Sequence, residues 1–273
     1  MTVTPFPLQR PTASAQGRNV VAVASGKGGV GKTWFAITLA HAFARSGARV
    51  LLFDGDLGLA NVDIQLGLMP KQDFGSVLAG RLPLADAALR YDDGGFDIIA
   101  GRSGSGRFAN VAAGRLQALI DELLSLAHGY DKVIVDVGAG IERTVRQLTR
   151  AVGTCIVVAT DEPTSLTDAY AFLKVTHLEK PASDLRIVVN LANSGAEGER
   201  TYRTLHKACE GFLKFSPPLL GVIRRDLNVR EAIRSQTSLL NRYPCSEAAA
   251  DVERIANKLH AFGESDGASV RRR

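Results

Sequence analysis

The sequence predicts a doubly wound α/β fold, a mostly parallel sheet with helices on both faces. Three observations predict it. Short runs rich in Val and Ile recur along the chain without alternating apolar and polar residues; strands buried on both faces have this pattern. Segments with helical spacing of apolar residues lie between several of these runs, as parallel crossovers require. A glycine-rich loop joins the first run to the first helical segment.

The elements follow in order. Strands are expected at "VVAVAS" (20–25), "RVLLFD" (49–54), "FDIIAG" (96–101), "KVIVDV" (132–137), "CIVVAT" (155–160), "RIVVNL" (186–191) and "PLLGVI" (218–223). Helices are expected over 33–47, where Gly47 marks a stop, and over 111–129, with leucines at helical spacing. Further helices are read at 142–151, 164–180, 198–215, 228–240 and 251–262. Residues 1–18 carry Pro, Ser, Thr and Gln and read as a flexible arm; 19–262 form one domain, and 263–273 a flexible basic tail.

Composition bounds the function. A chain of 273 residues that is 45% hydrophobic suits one large globular domain. The net charge is +5, partly from Arg10, Arg18 and the arginines of the tail, which gives weak support for an anionic partner. Cys155, Cys209 and Cys245 are far apart and form no CxxC pair, which argues against zinc and iron–sulfur sites. No apolar run approaches the roughly 18 residues of a spanning helix, and the expected location is the cytoplasm.

The loop "GKGGVGKT" carries the chemistry. Gly26, Gly31, Lys32 and Thr33 complete a phosphate-binding pattern between a predicted strand and a predicted helix. Backbone N–H groups of Gly28, Gly29, Val30 and Gly31 can turn inward around phosphate oxygens, and the helix N-terminus adds positive potential. Lys32 is expected on the β and γ phosphates, and Thr33 on Mg²⁺. The domain is therefore expected to be a P-loop NTPase that uses ATP and Mg²⁺.

Lys27 is one lysine more than such a loop needs. "KGGVGKT" resembles the deviant phosphate-binding loop of the MinD/ParA ATPases. In that family the early lysine reaches across a homodimer to the partner's phosphates, which implies a dimer in the ATP state. "LLFDGDLGLANVDIQLGL" resembles the first switch region; the resemblance puts Asp56 on the attacking water and Asp54 in support of Mg²⁺. "YDKVIVDVGAGIE" resembles the Walker B strand and second switch. It implies Mg²⁺ contact for Asp136, γ-phosphate sensing for Gly138 and approach of Glu142 to the partner's nucleotide. Asn190, in "VVNLA", matches the amide that the family places on adenine.

Segments such as "DEPTSLTDAYAFLKV" and "VVNLANSGAEGERTYRTLHKACEGFL" are most similar to the flagellar-number regulators of the FlhG/FleN type. That resemblance implies a flagellar assembly or regulatory protein as partner. MinD-like septum positioning and ParA-like DNA partition, with nucleic acid as partner, are the alternatives. Three features depart from the pattern. The arm lacks the glutamine-containing motif used with a GTPase partner, Arg224 stands where proline is usual, and Trp34 stands where a small polar residue is usual and is expected to pack helix on sheet. The last helix carries Val252, Ile255, Leu259 and Phe262 at helical spacing. It either docks on the domain or binds the inner face of the cell membrane peripherally.

Overall fold

A computed structural model describes residues 17–70, 74–101 and 111–270. Most of the arm and the last three residues thus lie outside the described residues. The chain begins with β1 (Val20–Ser25), α1 (Lys32–Arg45), β2 (Val50–Gly55), α2 (Val62–Leu66) and α3 (Phe74–Leu78). A short pair, β3 (Leu89–Tyr91) and β4 (Phe96–Ile99), precedes α4 (Ala113–Leu126). Then come β5 (Lys132–Ala139), α5 (Arg143–Ala151), β6 (Thr154–Ala159), α6 (Pro163–Glu179), β7 (Asp184–Ala192) and α7 (Gly195–Leu213). β8 (Leu219–Arg224), α8 (Leu227–Arg234), α9 (Leu239–Arg242) and α10 (Glu247–Val270) complete it.

The strands form one eight-stranded sheet in the order β3-β4-β2-β5-β1-β6-β7-β8. Every pairing is parallel except β3 with β4. All seven expected strands are present. β3 adds an antiparallel edge of three residues, too short to show a period in the sequence.

The absence of alternation in the apolar runs has a direct cause. In β1, Val21 and Val23 enter the core under α1 and α10, while Val20, Ala22 and Ala24 enter the core under α4, α5 and α6. Both faces of the strand are covered, so residues 20–24 are all apolar and a polar side chain enters only at Ser25, where the strand ends.

Two helix expectations change. The segment read as one helix over 228–240 is two, α8 and α9, parted at Gln236, whose φ is +50°. The last helix runs from Glu247 to Val270, into the stretch read as tail. Val252, Ile255 and Leu259 of α10 are buried, so this helix docks on the sheet through the stripe the sequence showed. Lys258 of α10 donates to the Leu220 carbonyl of β8 at 3.1 Å. Among the described residues no helix is long and apolar enough to cross a membrane.

Candidate nucleotide-binding site

β2, β5 and β1 lie side by side, and their carboxyl ends form the crevice where doubly wound sheets bind ligands. A cavity of about 770 Å³ opens there. Gly28, Gly29, Gly31, Lys32 and Thr33 line it from the loop, and Asp56 and Gly138 line it from the neighbouring strand ends.

The loop needs its glycines for different reasons. Gly29 and Gly31 have φ of +82° and +88°, a region that side-chain-bearing residues avoid. Gly26 is needed for packing, because a Cβ there would overlap the backbone of Asp168 on α6.

Lys32 points inward. Its Nζ donates to Asp136 Oδ1 at 2.6 Å, and both side chains are buried. Asp136 lies in the buried carboxyl-terminal half of β5 and pairs in register with Asp54 of β2. Burial, then the charge of Asp136, push the Asp54 carboxyl up to about 7. Burial raises Asp136 as well, against the opposing pull of Lys32. Two buried carboxyls thus share one lysine, an arrangement that favours an added cation.

The two aspartates are not equivalent. Asp54 accepts backbone N–H groups from Asp56, Asn61 and Val62 at 3.1–3.2 Å, so its oxygens shape the turn after β2. Asp136 has Oδ2 buried with no partner among the described residues, and Thr33 lies close enough to the same carboxyl to help hold it charged. This pair fits Mg²⁺, which takes few protein ligands and keeps water and phosphate oxygens for the rest. Among the described residues no cluster of three His, Cys, Asp or Glu side chains would hold a metal alone.

Asp56 accepts the Leu59 N–H at 3.0 Å. It also lies against Gly138, where an added Cβ would stand 3.5 Å from the carboxyl. The segment after β5 is tied to the end of β1, since the Gly140 N–H donates to the Ser25 carbonyl at 2.9 Å. Glu142 lines the same cavity at the start of α5.

Three further residues have partners that the sequence did not show. Lys27 points away from the cavity; its Nζ donates to Glu162 Oε2 at 2.8 Å and to Thr164 Oγ1 at 2.9 Å. That contact holds the Glu162 carboxyl below its ordinary value. The sequence signal at these two residues is "EPTS" at a helix start. Asn190, expected on adenine, is buried and donates to the Val30 carbonyl at 2.8 Å; it holds the loop from behind. Arg224, the departure from proline, is a clamp. Its backbone N–H and guanidinium donate to Asp251 of α10 at 2.9–3.1 Å, and it also meets Glu247. Trp34 packs into the core as expected and lines the cavity as well.

The fold and this loop define a nucleotide-binding protein. Residues 21–239 match the CobQ/CobB/MinD/ParA nucleotide binding domain, and the chain belongs to that family. Within it, the chain is 37% identical to the antiactivator FleN of Pseudomonas aeruginosa over 89% of this chain and 86% of that one. It is 30% identical to the flagellum site-determining protein YlxH of Helicobacter pylori over 88% of this chain and 81% of that one. Among solved structures it is similar to the septum site-determining protein MinD of Pyrococcus horikoshii complexed with Mg-ADP. The TM-score there is 0.74 and the identity 26%, over 88% of this chain and 95% of that one.

Proposed function

We propose that the chain is an Mg²⁺-dependent ATPase that dimerises with ATP bound and, as a slow switch, regulates the number or placement of flagella. One observation carries the biochemical part: the two lysines of one loop face different ways. Lys32 lies inside the cavity on Asp136, whereas Lys27 is partly exposed on Glu162 and Thr164. Lys32 serves the chain's own phosphates. Lys27 is available to a second copy's phosphates, whose charge attracts it more strongly than a single exposed carboxylate does.

Asp136 and Thr33 would hold Mg²⁺, which offsets the phosphate charge. Asp56, beside Gly138, accepts a hydrogen bond from water and orients it. The Gly140–Ser25 bond ties the second switch to the loop, so loss of a phosphate is felt in both. The likeness to FleN and to the flagellum site-determining protein supports the flagellar reading.

Sedimentation with ATP and Mg²⁺ tests the switch. Wild type forms a dimer, Lys27→Ala binds ATP as a monomer, and Asp56→Ala accumulates as a dimer with hydrolysis slowed ~10²–10⁴-fold. A wild-type chain that stays monomeric while saturated with ATP sinks the dimer. In cells, deletion of the gene changes flagellation and leaves division near normal. Minicells with normal flagella would point to septum positioning, and steeply salt-dependent DNA binding to partition.

A further inference from the structure

Lys27 has two partners in its own chain. Its Nζ donates to Glu162 Oε2 at 2.8 Å and to Thr164 Oγ1 at 2.9 Å. Glu162 immediately precedes α6, and Thr164 lies in its first turn. The contact therefore joins the phosphate-binding loop to the start of α6. The two elements meet again where Gly26 packs against the backbone of Asp168. The Ser25 hydroxyl donates to the Lys27 carbonyl at 2.8 Å, so the backbone is held at this point while the side chain reaches outward.

The Lys27 and Glu162 side chains are 38% and 63% exposed. Water screens such a pair, and it contributes little to stability. It is weak but selective, because one ammonium is held at two points. Glu162 is not stranded when the lysine leaves. Arg225, just after β8, also draws on its carboxyl, so the acid keeps a positive neighbour. The contact can open without leaving a bare charge behind.

We propose that Glu162 and Thr164 form an autoinhibitory latch that withholds Lys27 from a second copy until ATP is bound, an inference that rests on the reading of the chain as an ATP-dependent dimer. Before ATP arrives, Lys27 gains nothing by leaving. With ATP in place, a second copy presents several phosphate charges against one screened carboxylate. Each protomer must release its own Lys27 before giving it to the other. Two latches open for every dimer formed, so their effect on assembly is squared.

A concentration series in sedimentation tests this, with Mg²⁺ and a non-hydrolysable ATP analogue kept saturating so that turnover does not dissolve the dimer. Glu162→Gln removes the charge and keeps the size; Thr164→Val removes the hydroxyl and keeps the branching. Glu162→Gln is expected to lower the dimerisation midpoint roughly 4- to 25-fold, which is twofold to fivefold for each latch. Thr164→Val lowers it by less. On a Lys27→Ala background Glu162→Gln does not restore the dimer, because the latch has nothing to hold. A midpoint that is unchanged or raised in Glu162→Gln overturns the latch: the contact then only pins α6 to the loop, or it serves the dimer. A dimer restored on the Lys27→Ala background overturns it too, since Glu162 would then act without the lysine. If neither wild type nor Glu162→Gln dimerises at any concentration while saturated with the analogue, the dimer reading itself falls, and the latch with it.

Discussion

The carboxyl ends of β1, β2 and β5 differ from the β7–β8 side of the same sheet in how their charges are settled. At β8, Arg224 and Arg254 share Asp251, and Glu247 takes a further guanidinium contact. At β7, Asn190 closes on a backbone carbonyl. At the other end Asp54 and Asp136 share one lysine, and an oxygen of Asp136 is left over. Both regions hold buried aspartates, but only the first leaves them short of positive charge. The contrast teaches that a buried acid reads as a ligand site when its neutralisation is incomplete, and as a clamp when it is complete.

The largest effect is expected from breaking the unfinished region. Lys32→Ala should abolish measurable ATP binding in calorimetry and should also lower stability by roughly 3–5 kcal/mol in denaturant unfolding, the range for stripping one partner from a buried ion pair. Breaking the clamp should do the reverse of this pairing of effects. Asp251→Ala is expected to cost roughly 1–3 kcal/mol through the lost bonds to Arg224 and Arg254, with ATP affinity held within a factor of two or so once the variant is folded. A loss of ATP binding there would show that β8 belongs to the site after all.

Asn190→Ala sharpens the comparison further. Loss of its bond to the Val30 carbonyl should weaken ATP and GTP alike, by roughly 1 kcal/mol. Selective loss of ATP would restore the adenine role that the sequence suggested.

The smallest effect lies away from both regions. His41 is buried against Ser238 at 2.5 Å, and burial, then the charge of Arg45, lower it to about 4. Its folded value lies below its ordinary 6.5, so the neutral form stabilises the fold above pH 6.5. That stability is lost as pH falls from 6.5 towards 4, by at most about 3–4 kcal/mol. His41→Leu should flatten this part of the stability–pH curve, as read by unfolding at a series of pH values.

What the sequence made legible follows from the same physics. Strands such as 20–25 and 132–137 were readable because both faces are buried, so their apolar runs are continuous. β3 and α2 were not readable, being three and five residues long. The loop residues could be placed because strand, glycines and helix start coincide in the sequence. Asn190 and Lys27 were harder because each has partners more than 130 residues away. No spacing within "VVNLA" says that a carbonyl at Val30 will take the amide.

α10 reaches over β8 at the margin of the sheet. Lys258 occupies the Leu220 carbonyl, and Asp251 occupies the Arg224 amide. These are groups that an incoming strand would need, and a covered margin cannot template another chain. At the opposite margin β3 is only three residues long. Neither margin invites strand addition, so the sheet ends at both sides and is not extended by a strand of another chain.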